Sequence, residues 1–415
     1  MTWRVHDGLP VVEIVNNWAC SSFADTYRPP RITEQLAHVF RAVQPDVVHV
    51  HNLLNLSFDL TAQARERGAP VVATLHDYTL VCPSGGQRIH RAERHVCRTI
   101  DSTRCARCFR ESPYQTQIAF TRLAALTKMT GTSGALRAAA RRVLKAFPGL
   151  ATSVARTVRD SPLFPVTPQD VETRLAAARR VFDEVDLFVA PSPSIAAEFA
   201  QLGLNPAKIR ISDYGFVPLR RVERNGSGRR RLRIGYVGSI VWHKGLHVLL
   251  EAVRALPDDA YEVKIFGNAE VFPDYAAALR EQAAALPVSF MGTFTRDEAA
   301  SVYAQIDVLV VPSLWMENSP LVIHEAFMAG VPVVGARAGG IADLLDDGRN
   351  GFLYDPASPG ALAAALQELI THRGRLAEFA RHAPPVKSIA DDARDWLRIY
   401  ADLAAPRRRA VATIS

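Results

Sequence analysis

No apolar run in this 415-residue chain is long enough to cross a membrane as a helix, which takes about 20 residues. The N-terminus shows no basic segment leading into an apolar one, so no secretory signal is expected. The cytoplasm is the expected location, with peripheral attachment to the inner membrane face as a further expectation. Cysteine is scarce, five residues in all, and in a chain expected in the cytosol this argues against disulfides. Aromatic residues do not interleave with the basic clusters Arg141-Arg142, Arg220-Arg221, 229–233 and 407–409. A base-stacking platform needs such interleaving, so no nucleic-acid partner is expected.

What is present is an ordinary globular composition, 48% hydrophobic and 22% charged, on a chain long enough for two domains with cores of their own. The net charge is +7 and the pI about 9.3, which suits an anionic substrate or an anionic membrane surface.

Residues 308–340 organise the rest. A β-branched run, 308–311, ends at Pro312 and reads as a buried parallel strand. A loop, 313–319, follows. Ser319 is placed to cap a helix that opens on Pro320 and stops at Gly330, and 331–334 is the next strand. In such a βαβ unit, ligands bind at the carboxyl ends of the strands. Glu317 lies in the loop and Glu325 lies eight residues on, within the helix. The free N–H groups of the first turn, Leu321 and Val322 among them, attract an anion such as phosphate. Carboxylates on either side of a phosphate-binding turn suit a ligand that carries hydroxyls beside a diphosphate. Two solvated glutamates on a surface helix are the bland alternative.

Glu-x7-Glu within PSLWMENSPLVIHEAFMAGVPVVGARAGGIADLL resembles the donor-site motif of the retaining GT-B glycosyltransferases of family 4. The resemblance runs from about Val47 to Leu403. It implies an α/β fold of two Rossmann-like, doubly wound domains facing a cleft. It also implies a transferase that moves a sugar from a nucleotide-sugar donor to a hydroxyl acceptor. The setting would be cell-surface polysaccharide or glycolipid synthesis, with a glycan or lipid-linked acceptor. No metal cofactor is implied for catalysis. Relatives open with a strand, a glycine-rich turn and a long helix that this sequence does not show, so the first domain is expected to be truncated. A non-catalytic nucleotide- or glycan-binding remnant is therefore the alternative reading.

The domain bounds follow from composition and pattern, and the resemblance implies which domain is the acceptor side, which the donor side, and that the last helix returns to the first domain. Residues 1–213 form the acceptor-side domain, with a cysteine-rich loop at 82–108 and a basic helical insertion at 111–180. A linker of Gly, Pro and Arg occupies 214–231, the donor domain 232–387, and a returning helix with a basic tail 388–415. In the first domain, 2–17 read as a hairpin around Asp7-Gly8 followed by a strand, and alternating strands and helices come next. Strand 71–75 delivers His76-Asp77. By the family resemblance His76 approaches the donor sugar or the acceptor, with Asp77 orienting it; His51 has the same logic and less support. Apolar stripes at 118–126 and 136–147 would pack on the domain or lie on a membrane. Residues 182–190 read as strand.

Cys82, Cys97, Cys105 and Cys108 argue for a structural zinc on four thiolates, with His90 and His95 as spare ligands. Free thiols and an iron–sulfur or redox role stay open, and Cys20 lies apart. In the second domain, Gly238 ends a strand and Lys244 precedes a helix, a diphosphate grip. The resemblance places a second basic residue where this sequence has Ser239. It also assigns Glu325 to the ribose, Glu317 to the donor sugar, Asn318 and Ser319 to the donor loop, and Thr293 and Phe294 to the base.

Overall fold

The computed structural model describes residues 1–115, 117–118, 121, 165–219, 230–358 and 360–412, the last seven as backbone. The helical stripe at 136–147, most of the stripe at 118–126 and the centre of the 214–231 linker lie outside these. The chain divides into two compact units, Met1–Val189 with Leu202–Ile209 and Ala401–Ser415, and Ala190–Gln201 with Arg210–Tyr400. Among the described residues no helix is long and apolar enough to cross a membrane.

The first unit opens with the antiparallel hairpin β1 (Thr2–His6) and β2 (Leu9–Glu13). Asp7 and Gly8 at its turn both have positive φ, the conformation that twists a two-residue hairpin correctly. Next come α1 (Pro30–Val43), β3 (Val48–Val50), α2 (Asp59–Glu66) and β4 (Val71–Thr74). The cysteine-rich region folds as a small hairpin, β5 (Ile89–His90) and β6 (His95–Val96), followed by α3 (Ser102–Arg110). Helix α4 (Pro168–Glu184) starts on a reciprocal cap between Thr167 and Asp170, with proline in its first turn. It leads to β7 (Leu187–Ala190), to α5 (Pro193–Gln201), which belongs to the second unit, and to β8 (Ile209–Ile211). The strand expected at 182–190 is thus shorter: Val181 and Phe182 are buried on the apolar face of α4. The sheet order is β3-β4-β7-β8, with β3, β4 and β7 parallel.

The second unit alternates strand and helix throughout: β9 (Leu232–Val237), α6 (Leu246–Arg254), β10 (Tyr261–Phe266), α7 (Pro273–Ala283), β11 (Val288–Gly292), α8 (Ala299–Ala304), β12 (Val308–Val311), α9 (Leu321–Ala329), β13 (Val333–Ala336), α10 (Gly340–Leu344) and β14 (Gly351–Tyr354). Helices α11 (Ala361–Thr371), α12 (Gly374–Arg381) and α13 (Ile389–Ala412) complete the chain. The six strands are parallel in the order β11-β10-β9-β12-β13-β14. That is the doubly wound order, which reverses between β9 and β12. Strands β9, β12 and β13 are buried along their whole length, because helices cover both faces of such a sheet.

A buried ion pair clamps β9 to β12 at the end of the sheet away from the reversal crevice. Arg233 donates to Asp307 Oδ1 through Nε at 3.1 Å and Nη2 at 2.6 Å, while its backbone N–H reaches Oδ2 at 3.0 Å. Removing one partner of such a pair strands a buried charge. Asp307→Ala is expected to cost about 3–5 kcal/mol of stability, read as a lowered urea midpoint. A loss below about 1 kcal/mol, the worth of an exposed pair, would show that the clamp is not needed.

Candidate functional site

Where the strand order reverses, the carboxyl ends of β9 and β12 lie side by side. Two backbone segments meet there. The turn after β9 passes Gly238, whose N–H donates to Phe266 O at 3.0 Å, and reaches Lys244-Gly245. The loop after β12 begins at Pro312. Leu314 N–H donates to His243 O at 2.8 Å and ties the two together. Gly245 is required at this crossing. Its φ is +73°, and a Cβ there would sit 1.8 Å from the carbonyl oxygen of Pro312.

The tie places Lys244 against Glu317. Lys244 Nζ lies 2.7 Å from Glu317 Oε1, and Ser313 Oγ donates to the same oxygen. The Glu317 side chain is 6% exposed, that of Lys244 29%. The carboxylate is enclosed, while the ammonium keeps a wet face that an anion can approach. Trp315 lies under it, ring centre 5.5 Å from Nζ. From below, Gly340 N–H donates to Glu317 O at 2.7 Å. A Cβ on Gly340 would come 1.9 Å from Asn318 O, so this contact also requires glycine. Asn318 is buried beside it.

Helix α9 differs from expectation in one respect. Its cap position is Pro320, in an extended conformation, and no side chain caps this end. Ser319 does not cap. Its Oγ is 2.8 Å from Asp213 Oδ1 and 2.9 Å from His324 Nε2. Leu321 is exposed and Val322 partly so. On the next turn, Glu325 Oε2 accepts from Tyr303 Oη at 2.8 Å. Burial raises the Glu325 carboxyl above the ordinary carboxylate value, and Tyr303 and Arg296 pull it back. Burial also keeps Tyr303 protonated, a fixed donor. Thr293 is exposed after β11, and Phe294 lies edge-on to Phe266 at 6.2 Å, near the end of β10.

In the first unit, His49 and His51 come from the end of β3 and His76 follows β4. His51 Nδ1 lies 2.8 Å from His76 Nε2, and the His49 ring centre is 4.0 Å from that of His51. His49 Nε2 lies 2.8 Å from Thr74 Oγ1. Asp77 binds Asn52 and the N–H of Thr79. His51 is thus a hydrogen-bonding partner of the His76 ring, and the Asp77 charge acts on the same ring. Burial lowers all three imidazoles, His49 to about 4, and neighbouring imidazoles add to this for His49 and His76.

The four cysteines are neighbours around the β5–β6 hairpin and α3. Cys97 N–H donates to Arg88 O, and Cys108 Sγ lies 3.8 Å from Ile89 O. Burial, helped by the adjacent thiols, pushes the Cys105 thiol up to about 12 and the Cys108 thiol to about 11. Among the described residues, no group of three or more His, Cys, Asp or Glu side chains is arranged to hold a metal ion.

Asp213, Tyr303, Ser313 and His324 were not singled out in the sequence. Ser313, four residues before Glu317, and His324, next to Glu325, are local enough to have been noticed. Tyr303 and Asp213 reach the site only through tertiary packing.

Comparison with known proteins bears on the family and the fold. Residues 231–372 match the family model for glycosyl transferases group 1, and residues 4–114 match that for Glycosyltransferase Family 4. A sulfoquinovosyl transferase of Arabidopsis thaliana is 32% identical over 203 residues, 45% of this chain and 38% of that protein. A D-inositol 3-phosphate glycosyltransferase of Corynebacterium urealyticum is 28% identical over 240 residues, 52% of this chain and 56% of that protein. The chain thus spans about half or less of the length of these relatives. In fold it is similar to Anabaena HepE, solved in complex with UDP, with a TM-score of 0.54 at 16% identity over 92% of this chain and 81% of that one.

The histidine cluster generates a direct test. In an NMR titration, His49, His51 and His76 are each expected to protonate below the ordinary 6.5, His49 near 4. A midpoint at or above 6.5 for His76 would mean that the Asp77 charge outweighs burial.

Proposed function

The chain belongs to the family 4 glycosyltransferases of GT-B fold, and we propose that it moves a sugar from a nucleotide-sugar donor to a hydroxyl acceptor with retention at the anomeric carbon. The observation that carries this reading is the pairing of partly exposed Lys244 with enclosed Glu317 beside the uncapped end of α9. The arrangement offers a cation and free N–H groups to a diphosphate, with a carboxylate on each side for hydroxyls.

In this reading the diphosphate sits on Lys244 and the N–H groups of Leu321 and Val322. Gly238 gives the backbone room to approach it. Glu325, held by Tyr303, accepts the ribose hydroxyls; Glu317 faces the donor sugar; Thr293 and Phe294 border the base. The bond from the anomeric carbon to the diphosphate breaks, and its electron pair stays with the diphosphate. The acceptor oxygen bonds to the same face of that carbon, and its proton passes to the departing phosphate oxygen. Fixed donors at the diphosphate lower the barrier, because negative charge grows there in the transition state. These groups meet the charge without a divalent metal. His76, oriented by His51, is assigned to the sugar or the acceptor. The net positive charge suits a lipid-linked or polysaccharide acceptor at an anionic surface.

Calorimetric titration of the full chain with UDP, GDP, ADP and TDP, without metal, tests the site and names the base. Glu325→Gln is expected to weaken the nucleotide that binds by about tenfold or more, the worth of a hydrogen bond to a charged group. Glu317→Ala is expected to lower transfer by about a hundredfold or more. Unchanged affinity in the first variant would remove the ribose assignment.

The pH dependence has a definite sign. The carboxylate form of Glu325 binds hydroxyls, and its pKa is raised. Affinity is therefore expected to start falling, as pH is lowered, above the ordinary glutamate value of 4.5. The Glu325→Gln variant should lack this component.

A further inference from the structure

We propose that Asp213, Ser319 and His324 form a latch that stops helix α9 one residue short and leaves its first-turn N–H groups uncapped for the donor diphosphate. The proposal rests on the donor-site reading above and assigns it three positioning residues.

Ser319-Pro320 is the pair a helix start prefers. Serine caps the first amides, and proline takes the first helical position, where its missing N–H costs nothing. In the structure neither happens. Pro320 has ψ 113°, far from helical, and the helix begins at Leu321. The serine hydroxyl is engaged elsewhere. Its Oγ lies 2.8 Å from Asp213 Oδ1, and His324 Nε2 lies 2.9 Å from that Oγ and 3.3 Å from Asp213 Oδ2. The proton count has a consistent solution. Ser319 donates its only hydroxyl proton to the carboxylate, and the Nε2–H of His324 donates to Ser319 Oγ. The His324 ring is clamped by Phe216, with ring centres 4.6 Å apart. Ser319 and His324 are 6% and 5% exposed, so water does not compete with these bonds.

The latch has a consequence for binding. A serine released from Asp213 is free to turn back onto the N–H groups of the first turn once Pro320 becomes helical. It would then occupy the donors that the diphosphate needs. Asp213 stands on the wall of a cavity of about 710 Å³, so shortening it opens onto existing space and leaves no sealed void.

The test is calorimetric titration of the full chain with UDP, or whichever nucleoside diphosphate the wild type binds. Thermal melts on every variant report folding. Asp213→Ala is expected to weaken binding by about fivefold, the equivalent of one serine cap. Asp213→Asn, which keeps an acceptor for Ser319, is expected to stay within about twofold of wild type, that is, within about 0.4 kcal/mol. The decisive variant is the double one. Adding Ser319→Ala to Asp213→Ala removes the competing hydroxyl and is expected to restore most of the lost affinity. A merely structural role for Asp213 predicts the opposite, a double variant as weak as the single one or weaker. That result overturns the latch, as does undiminished binding by Asp213→Ala. If Asp213→Ala does not fold, weak binding by a folded Asp213→Asn overturns it as well. Failure of the wild type to bind any nucleoside diphosphate removes the donor-site reading, and the latch falls with it.

Discussion

The contact between Lys244 and Glu317 is the constraint on which the rest of the second unit's crevice depends. The carboxylate is enclosed and would be costly to hold there without its ammonium partner. Glycine makes the pairing geometrically available. Gly245 lets the turn after β9 pass against Pro312, and Gly340 lets the turn after β13 press on Glu317 and Asn318. Three loops from neighbouring strands are thereby locked into one surface. The strands can present them together because the sheet order reverses between β9 and β12.

That surface is rigid where chemistry needs it to be and open where a ligand must enter. Rigidity comes from the buried Arg233–Asp307 clamp at the far end of the same two strands and from the apolar residues that sheathe the sheet on both faces. Openness comes from the N-terminus of α9. Its natural cap is drawn aside by Asp213 and His324, so the helix end keeps unsatisfied donors. An uncapped helix end is a cost to the fold, and binding an anion there relieves it. Tyr303 works in the same manner on Glu325, holding the carboxylate in one orientation before any hydroxyl arrives.

The first unit contributes a site of another character. Its three histidines lie ring against ring at the ends of β3 and β4, burial lowers their pKa values, and one hydrogen bond, between His51 Nδ1 and His76 Nε2, requires the proton on one of those two nitrogens. Such a row orients its outermost ring without adding charge. The cysteine-rich loop folds as the small hairpin and α3, and burial raises the pKa values of the Cys105 and Cys108 thiols.

Much of this was legible in the sequence. The β-branched run 308–311 and the terminating Gly330 are local patterns that determined the βαβ unit, and the Glu317–Glu325 spacing marked the two carboxylates proposed to face the ligand. Alternating strand and helix periods likewise determined a parallel sheet in each unit. The sequence could not determine which polar groups would meet across it. Ser319-Pro320 reads locally as a helix start, and only the approach of Asp213, 106 residues earlier, turns the serine away. His51 and His76 lie 25 residues apart, and their pairing depends on β3 and β4 lying side by side. Tyr303 reaches Glu325 because α8 and α9 pack together. Local energies of about 1 kcal/mol set the elements; the burial of a hydrogen bond or charge with a distant partner is worth as much or more, and it decided where those elements' side chains point.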